Sequence, residues 1–136
     1  MRLIICVDED DGLSFGGRRQ SRDSVLRDRI LELTKGNLLW MDTYSAGLFA
    51  DVENLICVSD SCLEQAGEED WCFAEMQDLV PFASKVNTLV IYRWNRRYPS
   101  DRKLPVALLL ECPRLVSRRD FAGSSHEKIT EEVYCL

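Results

Sequence analysis

The order of strand-like and helix-like segments constrains this chain's fold more than any single motif. Arg2 to Val7 is a strand-like run. A helical pattern follows, with Val25, Leu26, Ile30 and Leu33 recurring at helical spacing. Ser21 or Asp23 caps that helix, which reaches about Thr34, and Gly36 suits the position just past its end. Leu38 to Met41 is a second strand, after which Asp42 or Thr43 opens a short helix through Leu48. Leu55 to Val58 is a third strand, followed by a short helix from Ser61 to Ala66 that Asp60 caps and Gly67 ends. Trp71 to Glu75 is a fourth strand, and Val86 to Tyr92, the most β-prone run in the chain, is a fifth. Asp78 to Ser84 is ambiguous, because Pro81 interrupts any helix there. Val106 to Leu110, Arg114 to Phe121 and Glu127 to Cys135 then follow as strands with no helix between them. Alternation early and strands late predict an α/β fold, a mostly parallel sheet closed by antiparallel C-terminal strands. Residues 1–136 are the length of one domain, without an internal repeat or linker.

Composition narrows the classes of function. The formal net charge of −6 argues against broad nucleic-acid binding, which needs a basic field. No run of about 20 apolar residues is present, so no membrane span is expected. Met1 to Val7 leads into Asp8-Glu9-Asp10-Asp11, unlike a signal-peptide cleavage region, and reads as the first strand of a cytoplasmic protein. Of the 6 cysteines, Cys6, Cys57 and Cys72 sit in strand-like runs and Cys135 near the chain end. There is no Cys-x-x-Cys pair and only 1 histidine, so reduced, buried thiols are expected rather than disulfides or zinc.

Two arginine-rich segments stand out in this acidic chain: Arg18-Arg19-Gln20-Ser21-Arg22-Asp23 and Trp94-Asn95-Arg96-Arg97-Tyr98-Pro99. Each comes shortly after a strand, where open α/β sheets bind ligands. Arg18, Arg19 and Arg22 also precede a helix N-terminus, and a guanidinium fork suits phosphate or carboxylate. Trp94 and Tyr98 have the chemistry to stack a base while Arg96 and Arg97 hold its phosphate. The competing readings are a solvated loop whose Arg18, Arg19 and Arg22 pair with Asp8 to Asp11, and an aromatic edge packed on the sheet with Arg96 and Arg97 in surface salt bridges. Ser125 and His126 form a third motif, a hydroxyl beside an imidazole, with Asp120 and Glu127 nearby to orient the ring. No complete catalytic motif is evident, so no catalytic residue is assigned. Asp8, Asp42 and Asp60 each end a probable strand and would bind a divalent cation if they met, but Asp42 and Asp60 are explained as helix caps. No metal and no cofactor are expected.

The opening Met1-Arg2-Leu3-Ile4-Ile5-Cys6-Val7-Asp8, then Gly12-Leu13 and a long loop into the first helix, resembles the dihydrofolate reductase superfamily. Asn37-Leu38-Leu39-Trp40-Met41 and Asn54-Leu55-Ile56-Cys57-Val58-Ser59 stand where its second and third strands would be, and the antiparallel ending also fits. The resemblance implies a dihydrofolate reductase-like fold. The reductases' Pro-Trp segment is here Phe15-Gly16-Gly17-Arg18-Arg19, and their phosphate-gripping Gly-Arg-x-Thr is Met41-Asp42-Thr43-Tyr44. Where a glycine run would admit a dinucleotide stands Tyr92-Arg93-Trp94-Asn95. No reductase site residue is therefore carried over, and no bound NADPH is expected. The chain is similar, closer still, to short uncharacterised bacterial proteins of gut anaerobes that share the Arg-Arg-Gln-Ser-Arg-Asp, Trp-Asn-Arg-x-Tyr-Pro and Gly-Ser-Ser-His-Glu-Lys-Ile-Thr segments. Some carry the label ribonuclease Z, whose zinc site the single His126 cannot build.

These readings predict a protein that binds a small anionic ligand such as a nucleotide. The ligand site is expected at Arg18, Arg19, Arg22, Trp94, Arg96, Arg97, Tyr98, Ser125 and His126. The two arginine segments are expected to converge on one pocket with His126 at its edge. The alternatives are a reductase-like or nucleotide-processing enzyme, and an interaction domain contacting an acidic partner.

Overall fold

Alternate residues of Arg2–Val7 (β1) point to opposite faces, and both faces are buried: Leu3, Ile5 and Val7 on one side, Ile4 on the other. A strand covered on both sides reads as a continuous apolar run, as this one does. It is the central strand of a seven-stranded sheet. The computed structural model describes residues 1–109 and 113–136.

The other elements, in chain order, are β2 (Gly12–Phe15), β3 (Arg18–Arg19), α1 (Ser24–Thr34), β4 (Leu39–Met41), α2 (Thr43–Ala46), β5 (Cys57–Val58), α3 (Cys62–Gln65), β6 (Trp71–Phe73), β7 (Thr88–Arg93), β8 (Arg102–Lys103), β9 (Arg114–Phe121) and β10 (Ile129–Cys135). The large sheet has the order β5-β4-β6-β1-β7-β10-β9. Pairing is parallel from β5 through β7, and β10 runs antiparallel to both β7 and β9. This is the mostly parallel sheet with antiparallel C-terminal strands that the segment order predicts.

Helix α1 begins at Asp23, whose side chain accepts from the amides of Val25 and Leu26. It packs Leu26 and Ile30 against Ile4, Val90 and Tyr92 of the sheet. Full burial of each such side chain contributes roughly 1.5–3 kcal/mol. Past Lys35, Gly36 takes φ +90, the left-handed geometry that stops a helix.

Several expectations need correction. Val106–Leu109 is a 3-10 turn rather than a strand, and Leu110 lies outside the described residues. Pro105 opens the turn, its carbonyl accepting from the Leu108 amide at 3.1 Å, and Leu108 alone turns inward. Asp60 does not cap α3; its carboxylate accepts from the Thr43 amide at 3.0 Å and so holds α2. Helix α2 stops at Ala46 and continues as 3-10 segments over Gly47–Leu55, kinked at Phe49 and Val52. The ambiguous stretch is a 3-10 turn, Val80–Lys85, with Pro81 in its first turn. Arg18 and Arg19 belong to a strand, not a loop. Gly16 and Gly17, at φ +60 and +72, form the tight turn between β2 and β3, and β8 completes a second, three-stranded antiparallel sheet. The free cysteines among the described residues include Cys57, which is half-buried, and Cys135, which is exposed, so they are not uniformly buried.

Candidate functional site

At the C-terminal ends of β1, β6 and β7 the sheet face opens beneath α1 and the Gly47–Leu55 segment. The resulting cavity measures about 500 Å³. Leu26 and Ile30 of α1, Leu48, Phe49, Phe73 and Trp94 form its apolar walls. Its polar side is built from Ser21, Arg22, Asp23, Ser24, Ser124 and Ser125, with Glu75 and Cys6 nearer the sheet. A few polar groups convergent on an apolar hollow is the usual form of a small-molecule site.

Asp23 organises the polar side. One carboxylate oxygen accepts from the amides of Val25, Leu26 and Ser124; the other accepts from the Ser125 amide at 2.8 Å and meets His126 Nδ1 at 3.0 Å. Burial pushes this carboxyl's pKa up, but the Ser124 and Ser125 amides, the imidazole and the Leu26 amide outweigh it. They hold Asp23 well below the usual carboxylate range. His126 is buried and stacked on Trp94, ring centroids 4.5 Å apart. Its Nε2 lies 3.1 Å from Ser21 Oγ and 2.9 Å from the Tyr98 hydroxyl. Gly123 leaves room for this cluster: a Cβ there would fall 2.3 Å from Asp23 Oδ2.

The structure brings together only some of the residues expected to bind ligand. Arg22, Trp94 and Ser125 line the cavity, with His126 and Tyr98 behind it. Arg19 is turned onto Glu75 by two hydrogen bonds of 2.8 and 3.0 Å and lies over the Tyr44 ring. Arg97 pairs with Asp10 at 2.9 Å in the open. Arg18 and Arg96 are exposed, away from the cavity walls. The two segments therefore meet at the cavity through Ser21, Arg22, Asp23 and Trp94, but their other arginines do not converge there, because carboxylates elsewhere in the fold attract Arg19 and Arg97. Asp101 accepts from the Gly16 amide and is not among the residues lining the cavity.

Asp8, Asp42 and Asp60 also go separate ways. Asp8 binds the amides of Asp10, Gly12 and Tyr98 and ties the loops after β1 and β7 together. Asp42 and Asp60 both serve α2. Among the described residues no three His, Cys, Asp or Glu side chains are grouped to hold a metal ion. Ser21, Asp23 and Glu75 are site residues that the motif reading missed. The sole signal was the ambiguity over which of Ser21 and Asp23 caps α1; both have a role here.

No protein-family profile matches the chain, and no curated protein sequence does. Solved structures do match. One, a dihydrofolate reductase from Enterococcus faecalis complexed with NADP(H) and RAB-propyl, superposes with a TM-score of 0.68 at 12% identity. The match covers 98% of this chain and 94% of that one. The chain thus has a dihydrofolate reductase-like fold. No helix among the described residues is long and apolar enough to cross a membrane.

Proposed function

We propose that the protein binds a small organic molecule with a flat apolar body and one anionic group in the cavity beneath α1. The observation that carries this reading is the cavity itself: about 500 Å³, apolar where Leu26, Ile30, Phe49 and Trp94 stand and polar where Ser21, Arg22 and Ser125 stand. Arg22 is the anion contact. Among the described residues it enters no ion pair, whereas Arg27 on the same wall is paired to Asp51 and Asp28. Trp94 is the stacking surface. A mononucleotide or an aromatic acid meets these requirements. The free thiols fit a reducing cytoplasm, and the shared segments fit a bacterial source.

The likeness to a reductase supports the place of the cavity and not a reductase reaction. Dinucleotide phosphates are held by free amides at helix N-termini beyond the sheet. Here the α2 amides of Ser45 and Thr43 already bind the carboxylates of Asp42 and Asp60, at 2.8 and 3.0 Å. Glu75, beyond β6, adds a further carboxylate on that side, held by Arg19 and Ser45. These residues do not fit NADP(H).

A thermal-shift screen with nucleotides, folates, aromatic acids and phosphate tests the reading, followed by titration of tryptophan emission. Arg22→Ala should weaken the best ligand about tenfold or more, the worth of a charged hydrogen bond. Ile30→Trp, which fills the cavity, should abolish binding. Affinity unchanged in both variants would refute the site.

A further inference from the structure

Ser21 lines the cavity from the segment just ahead of α1. Behind it stand an imidazole and a carboxylate in line: Ser21 Oγ to His126 Nε2, 3.1 Å, and His126 Nδ1 to Asp23 Oδ2, 3.0 Å. An ionised carboxylate only accepts, so Nδ1 carries the proton and Nε2 offers its lone pair. The ring is fixed in that orientation by burial and by the Trp94 stack. Hydroxyl, imidazole and oriented carboxylate at these distances are the parts of nucleophilic acyl transfer, a constellation recognised by geometry and not by chain order. We infer that Ser21, His126 and Asp23 form an esterase centre acting on small acyl esters bound in the cavity, an inference that rests on the cavity reading above.

The residues divide the work as follows. Ser21 Oγ attacks the ester carbonyl carbon, and its proton passes to His126 Nε2. Asp23 is the positioning residue that stabilises the imidazolium through Nδ1–H. The carbon–oxygen bond to the alcohol then breaks, and Nε2 returns the proton to the departing alkoxide. Water, deprotonated by Nε2, attacks the acyl group on Ser21. The carboxylic acid leaves and Ser21 regains its proton from Nε2, so ester plus water becomes acid plus alcohol. The donors assigned to the developing oxyanion are both on Arg22. The Arg22 amide follows the nucleophile and has no hydrogen-bond partner among the described residues, and the Arg22 side chain lines the same wall. Tyr98 is the competitor for Nε2, at 2.9 Å; once Ser21 donates there, the Tyr98 hydroxyl donates to Ser21 Oγ, 3.4 Å away.

A fluorophosphonate probe followed by intact mass and peptide mapping, with p-nitrophenyl butyrate hydrolysis alongside, tests this directly. A single adduct on Ser21 is expected, absent from Ser21→Ala, which removes a half-exposed hydroxyl and keeps the fold. Hydrolysis should fall about 100-fold or more in that variant. Asp23→Asn should slow adduct formation at saturating probe by a similar factor, with the half-saturating probe concentration unchanged. An adduct elsewhere, no adduct, or Ser21→Ala hydrolysing as fast as the parent would overturn the assignment. Tryptophan quenching by 4-butyramidobenzoate, a flat aromatic acid carrying a non-hydrolysable butyryl amide, run on the same samples, separates the two readings. Quenching without an adduct removes the esterase and leaves the binding cavity; neither signal removes both.

Discussion

Asp23 is the residue on which the candidate site and the first helix both depend. Its two oxygens gather donors from α1 and from the Ser124–His126 segment, more than 100 residues later in the chain. Because its folded pKa is depressed, the stability it contributes is fully present above the unfolded value of about 3.9 and is lost as pH falls through the folded one. Urea midpoints measured from pH 7 down to pH 3 should therefore decline, and the decline should shrink in Asp23→Asn; identical slopes would show that Asp23 has no part in it. Gly123 offers a sharper probe. An added Cβ would sit 2.3 Å from Asp23 Oδ2 and 2.9 Å from Ile129 Cδ1, and Asp23 is too heavily hydrogen-bonded to retreat. Gly123→Ala should destabilise by roughly 1–3 kcal/mol, the usual result of overpacking. An unchanged urea midpoint would mean that the segment is looser than its hydrogen bonds imply.

Between elements, α1 is tied to the sheet by an ion pair as well as by its apolar stripe. Arg29 of α1 makes two hydrogen bonds to Glu131 of β10, 2.7 and 3.0 Å, and the Tyr92 hydroxyl of β7 donates to the same carboxylate at 2.8 Å. Burial raises the Glu131 pKa, but Arg29 and Tyr92 outweigh that and hold it ionised. Glu131→Ala leaves a guanidinium that is only 17% exposed with just the longer 3.7 Å contact to Glu32, so the expected loss is about 3–5 kcal/mol by thermal or urea unfolding. A loss under about 1 kcal/mol would show that water reaches Arg29 freely. The elements this tie joins were legible in the sequence for physical reasons. Helix α1 carries its own cap, its Leu26–Ile30 stripe and Gly36. Strand β10 alternates, with Ile129, Glu131 and Val133 turned to the α1 side. Strands β2, β3 and β8 were not legible, since two to four residues carry too little pattern, although Gly16-Gly17 marks a hairpin turn. The apolar run from Val106 misled because it lacks any period: Val106 is 69% exposed and Leu108 buried.

Over the whole molecule, sequence-local charge was the weakest guide. Arginines in a loop attract attention, yet which carboxylate each meets is decided by the fold: Glu75 for Arg19 and Asp10 for Arg97. The Asp23–His126 pair spans 103 positions, and no spacing rule links residues so far apart. The distribution of acids across the sheet end has a consequence for cofactor choice. The formal net charge is −6, and Asp42, Asp60 and Glu75 stand beyond β4, β5 and β6, where a doubly wound sheet would place dinucleotide phosphates. Their carboxylates occupy the Thr43 and Ser45 amides of α2 and the Arg19 guanidinium, so a pyrophosphate arriving there meets like charge and donors already engaged. NADPH should accordingly show no saturable change in its emission up to about 0.1 mM protein, an affinity weaker than about −5.5 kcal/mol. Neutralising Asp42 and Glu75 together, as Asn and Gln, would remove the repulsion and is the variant in which weak binding should first emerge. Micromolar affinity in the unaltered protein would overturn the argument, because a phosphate would then have to displace these carboxylates from the donors they hold.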